Sequence, residues 1–153
     1  MAELLRERGV VLRGFVTEEL REERRRVGFA VETFDGERAT LAHVDFSGPP
    51  RVGRYGVDLE AFEEVALPAL AGVEEKELVV IDELGKMELA SAAFRSVVAE
   101  LFGGRAPIVA TVQVARHPFT DALKREADLV RVTYSNRDEL PTRIAGRFDE
   151  RGA

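Results

Sequence analysis

Asp82 and Glu83 stand side by side at the end of an unbroken apolar run, Leu78-Val79-Val80-Ile81, and Gly85 interrupts the chain two residues later. Two adjacent carboxylates add nothing to packing, and burying either without a partner is costly. An apolar run of this length, with no polar alternation, suits a parallel strand covered on both faces. The C-terminal end of such a strand is where open α/β sheets place ligands. In phosphate-transferring folds this pattern is the Walker B element, whose Asp helps hold Mg²⁺ beside a nucleotide. A following Glu is well placed to orient or deprotonate an attacking water. The same residues also read as a strand that ends in a solvated acidic turn, and the run alone leaves both readings open.

Composition narrows the field. The 153 residues suit one domain, 1–153, with enough chain to bury a core. A net charge of −6 argues against general nucleic-acid binding, which needs a basic face. With no cysteine, disulfides and thiol chemistry are excluded, and with only His43 and His117 a histidine-rich metal site is not expected. No apolar run reaches the length of a membrane span and no signal-peptide pattern opens the chain, so a soluble cytoplasmic protein is expected. One Asn and one Gln beside abundant Arg and Glu resemble a thermophile's composition.

The elements that would position the carboxylates follow in order. Ala2 to Arg8 reads as the end of a helix stopped by Gly9, and Val10 to Thr17 as a strand. Glu18 to Arg26, with Arg21, Arg24, Arg25 and Arg26, reads as a solvated face or mobile loop, or else as a loop facing an anion. Val27 to Phe34 and Arg38 to Val44 form a hairpin around Asp35-Gly36, with His43 in a structural role. Ser47 to Gly56, rich in Gly and Pro, reads as a loop. Asp58 caps a helix to about Leu70, its end bent or shortened by Pro68, and Ser91 caps another whose apolar face runs from Phe94 to Phe102. Pro107 to Val112 is a short buried strand carrying Thr111, for which simple packing is one explanation. A helix over Pro118 to Glu126, a strand over Leu129 to Thr133 and a helix from about Asp138 to Glu150 complete the chain. The alternation predicts an α/β domain with a mostly parallel sheet and one antiparallel hairpin.

Taken together, several blocks carry a resemblance. They are Gly14-Phe15-Val16-Thr17-Glu18-Glu19-Leu20-Arg21, Arg25-Arg26-Val27-Gly28-Phe29, Arg51-Val52-Gly53-Arg54-Tyr55 and Val57-Asp58-Leu59. The most specific is Ile81-Asp82-Glu83-Leu84-Gly85-Lys86-Met87-Glu88-Leu89, and Val132-Thr133 with Asn136-Arg137 closes the set. With these the chain resembles the small cancer-related nucleoside-triphosphatases and their thermophilic bacterial and archaeal relatives, a branch of the P-loop NTPase (RecA/AAA-type) fold. The resemblance implies Mg²⁺-dependent hydrolysis of ATP, GTP and other nucleoside triphosphates to diphosphate and phosphate. It implies that Asp82 holds Mg²⁺, that Glu83 activates the lytic water, and that Thr111 senses the γ-phosphate or that water. Arg21 and Arg25 would stabilise charge on the transferring phosphoryl, and Asn136 and Arg137 would lie near the base. Lys86 belongs to the signature, as a nucleotide contact or as an ion-pair partner. A monomer or weak oligomer is expected.

One departure from that family is large. No G-x-x-x-x-G-K-[ST] occurs in the sequence, yet that Walker A loop cradles phosphates on its backbone and grips them with its Lys. The expectation is therefore a nucleoside-triphosphatase domain shortened at its N-terminus, without its first strand and P-loop, and inactive or impaired as it stands. The competing readings are a non-catalytic nucleotide-binding or interaction protein that lost its P-loop, and a P-loop kinase acting on a small molecule. Glu83 after Asp82 favours water over an organic acceptor.

Overall fold

A computed structural model describes residues 1–149. Seven strands form one sheet in the order β4-β5-β3-β2-β1-β6-β7. They are β1 (Leu12–Glu22), β2 (Arg25–Thr33), β3 (Arg38–His43), β4 (Arg51–Val52), β5 (Tyr55–Val57), β6 (Leu78–Leu84) and β7 (Ile108–Val112). Five helices accompany them: α1 (Ala2–Glu7), α2 (Leu59–Ala69), α3 (Ala92–Phe102), α4 (Pro118–Glu126) and α5 (Leu140–Asp149).

The apolar run is the strand it was expected to be. β6 lies between β1 and β7 and runs parallel to both. Its side chains alternate between two cores, which is why no polar residue interrupts it. Val79 and Ile81 join the larger core, with Phe15, Phe62, Phe94 and Val98. Leu78 and Val80 join the smaller one on the opposite face, with Leu5, Leu12 and Ala145. Each such burial stabilises the fold by roughly 1.5–3 kcal/mol. Phe15, Phe62 and Phe94 meet at centroid distances of 5.2 to 5.8 Å, which locks α2 and α3 to the sheet beside β6.

Helix boundaries follow local chemistry. Asp58 accepts the amide of Ala61 at the start of α2, and Ser91 accepts that of Phe94 at the start of α3. α2 ends one residue after Pro68. The expected last helix forms as α5; its expected final residue, Glu150, lies outside the described residues.

Four expectations are corrected. The α/β architecture holds, but the sheet is mixed rather than mostly parallel, because only β1–β6 and β6–β7 pair in parallel. Glu18 to Arg26 is no loop: β1 continues to Glu22 and returns as β2 from Arg25. Beyond the core both faces of this arm meet water, so charged residues suit it, and cross-strand pairs such as Arg26–Glu19 (3.1 Å) line it. The Gly- and Pro-rich stretch before Val57 holds a small hairpin, β4–β5, turned by Gly53 at φ 58. Residues 129–133 pair with no described strand, and Leu129 and Val132 are exposed. A strand needs a neighbour for its backbone, and apolar content alone cannot supply one.

Candidate functional site

The parallel strands β1, β6 and β7 bring their C-terminal ends together, and the acidic pair sits there. Val16 is in register with Asp82. On the other side the ladder of β6 and β7 slips: Ile81 faces Ala110, but the next pair is Leu84 with Val112. Asp82 and Glu83 occupy that irregularity, the kind of local break that re-aims side chains beside functional sites. The peptide joining them is cis.

Thr111 closes the irregularity from β7. Its Oγ1 donates to Asp82 Oδ1 at 2.7 Å. Asp82 is half-buried, Glu83 and Thr111 are exposed, and so the polar groups open toward solvent. Partial loss of water around the Glu83 carboxyl raises its pKa, and the neighbouring Asp82 charge raises it further.

A third carboxyl stands behind this pair. Glu88 begins a single 3-10 turn (Glu88–Ala90) after the Gly85-Lys86-Met87 bend, and only 4% of it is exposed. A Cβ on Gly85 would lie 3.0 Å from Glu83 Oε1 and 3.0 Å from Glu88 Oε2, so the two carboxyls converge on one glycine. Burial pushes Glu88 up to about 7; the amides of Glu88 and Gly85 oppose this, and the charges of Glu83 and Asp82 reinforce it. Glu88 lies in the signature block, but no spacing rule marks it as buried, and the reading of the residues assigned it no role.

The remaining candidates fall elsewhere. Arg21 is five residues beyond Val16 along β1, roughly 16 Å at ~3.3 Å per residue, and it pairs with Glu19 at 2.7 Å. Arg25 opens β2 at the tip of the same arm, opposite Glu22. The structure does not bring either arginine to the carboxylates. Asn136 spends its amide on its own loop, accepting from Thr133 N at 2.7 Å and donating to Arg131 O at 2.8 Å. Arg137 stacks over the exposed ring of Tyr134 at 5.2 Å. Lys86 is exposed at the bend and makes no ion pair with any described residue. His43, three strands away from β6, accepts the amide of Asp45 on Nδ1, a structural role as expected.

Among the described residues no three or more acidic or histidine side chains gather as a metal cage. Mg²⁺ beside a polyphosphate is held by one or two carboxylates together with water and phosphate oxygens. Asp82 has one oxygen engaged by Thr111 and its end of the strand open, a donor set that fits such an ion.

A family model described as NTPase matches residues 1–145. The nucleoside-triphosphatase THEP1 of Thermotoga sp. (strain RQ2) is 42% identical over 134 residues, covering 86% of this chain and 77% of that protein. Among solved structures, THEP1 from the hyperthermophile Aquifex aeolicus is similar with a TM-score of 0.83 and 31% identity, over 94% of this chain and 87% of its own. A human cancer-related nucleoside triphosphatase aligns with a TM-score of 0.80 and 35% identity, over 95% and 85%.

Proposed function

The chain belongs to this NTPase family, and from that premise we propose that it is a nucleoside-triphosphatase using Mg²⁺, whose chemistry centres on Asp82 and Glu83. The observation that carries the reading is the pair of carboxylates in the β6–β7 irregularity, with Thr111 bonded to the first of them. Asp82 would hold Mg²⁺, which supplies charge neutralisation on the phosphates. Thr111 orients Asp82 by donating to one oxygen, leaving the other for the ion's shell. Glu83 is the base: it takes a proton from water as the water oxygen bonds to the terminal phosphorus and the diphosphate leaves. Its raised pKa improves it as a proton acceptor near neutrality.

Arg21 and Arg25 serve the transferring phosphoryl if the β1–β2 arm folds over a bound nucleotide. Asn136, Arg137 and the exposed Tyr134 ring form one loop suited to a base, and Lys86 stands on the rim of the acidic site. ATP, GTP and other triphosphates are the proposed substrates, turned over in the cytoplasm by a monomer or weak oligomer. No described helix is long and apolar enough to cross a membrane. The sequence contains no Walker A loop, so turnover by these 153 residues alone is proposed to be impaired.

The test is phosphate release from ATP and GTP, with and without Mg²⁺, by the chain and by Glu83→Gln. Loss of release in the variant by about 10²-fold or more, with nucleotide still bound, supports the assignment. Release that ignores both Mg²⁺ and the substitution overturns it.

A further inference from the structure

The deepest ionisable group near the site is the one that the proposed mechanism leaves idle. Glu88 is 4% exposed, and no described cation bonds to its carboxyl. Around it, Arg95 donates to the carbonyl of Leu89, and Ser91 engages Glu63 at 2.6 Å. What faces Glu88 is the amides of Gly85 and of Glu88 itself, and the acidic pair. Glu83 and Glu88 approach the Cα of Gly85 from the same side, each 3.0 Å from where its Cβ would be. Gly85 is buried, and a side chain there would displace both carboxyls.

We infer that Glu88 is the positioning residue for Glu83, a buried carboxyl that meets it across Gly85 and holds it in one orientation. This rests on reading Glu83 as the group that receives the proton of the lytic water. Two carboxyls converging in a partly dry space cannot both ionise cheaply, and environments that differ divide the roles. Glu88, fixed by its burial, is the stationary partner, and its protonated form has a hydrogen to offer Glu83 directly or through one water. The proton on Glu88 is not consumed: the water's proton goes to Glu83 and leaves to solvent from there.

The experiment is nuclear magnetic resonance on the full chain, which needs no turnover. Side-chain scalar couplings of Glu83 are measured in the wild type, in Glu88→Gln and in Glu88→Ala. Gln keeps the length and a donor, so Glu83 is expected to hold one rotamer there as in the wild type; in Glu88→Ala the couplings average. Equal couplings in all three overturn the inference. A second measurement follows the Glu88 carboxyl carbon against pH. Its midpoint is expected to fall by about one unit in Glu83→Gln, because a nearby like charge is removed; an unmoved midpoint overturns the pairing. Retained phosphate release in Glu83→Gln would instead defeat the assignment of the base and leave the pairing of carboxyls standing.

Discussion

Thr111 Oγ1 lies 2.7 Å from Asp82 Oδ1, joining the end of β7 to the end of β6 where their ladder is interrupted. The hydrogen bond replaces the missing backbone pairing at that level and fixes which way the Asp82 carboxylate turns. Groups that orient a metal ligand in this way typically contribute about 10–100-fold to metal affinity. Thr111→Val keeps the strand preference and the volume but removes the donor. The expected outcome is an apparent Mg²⁺ affinity, in the presence of nucleotide, weakened by about tenfold. Stability should fall by less than ~1 kcal/mol because the bond is exposed. A Mg²⁺ titration of nucleotide binding checks this, and Thr111→Ser should restore most of the affinity.

Register depends on a glycine at the other border of β6. Gly14 sits at φ +104, and a Cβ there would lie 2.1 Å from the carbonyl oxygen of Val80. Only a residue without a Cβ lets β1 approach closely enough to align Val16 with Asp82. Gly14→Ala is expected to cost at least about 3 kcal/mol, adding backbone strain to a clash with main chain. Denaturant unfolding measures it, and a cost below ~1 kcal/mol would mean that the two strands can separate without penalty.

The β1–β2 arm turns at Glu23 and Arg24, both at positive φ (49 and 68). Such two-residue connections match the twist of the strands but ask for Asn, Asp or Gly. Replacing the pair with Asn-Gly is expected to stabilise the arm by about 1 kcal/mol. Slower amide exchange at the arm is the reading that confirms it. Unchanged exchange would show that the turn does not limit the arm's opening.

Legibility of the chain followed the physics of each element. β6 was readable because burial on two faces leaves an uninterrupted apolar run. The capped helices were readable because Asp58 and Ser91 act locally. The arm's solvated character was readable but its pairing was not, because a strand that projects beyond its core looks, residue by residue, like a charged loop. Residues 129–133 were misread for the opposite reason, since apolar content signals burial but cannot provide a pairing neighbour. At the candidate site, motif and resemblance singled out Asp82, Glu83 and Thr111, and the fold places the three together at the ends of β6 and β7. The depth of Glu88 was invisible, because it depends on how the Gly85 bend folds the chain back under the acidic pair.

That depth makes stability depend on pH in a stated direction. Glu88 has a pKa of about 7 in the folded chain against an ordinary 4.5 unfolded. Below pH 4.5 both states are protonated and Glu88 costs nothing. Between 4.5 and 7 the unfolded chain ionises while the folded one holds its proton, so stability falls as pH rises. Above 7 both are ionised, and the full penalty, about 3 kcal/mol at 1.36 kcal/mol per unit, is present. Glu88→Gln cannot ionise and should escape it. The difference in unfolding free energy between variant and wild type is therefore expected to favour the variant increasingly from pH 4.5 to 7 and then level off. Urea unfolding at pH 4.5, 6 and 8 checks this, because titrating groups remote from Glu88 are common to both chains and cancel in the difference. A difference that stays flat across that range would mean that the Glu88 carboxyl finds water or a cation in solution and ionises like a surface acid.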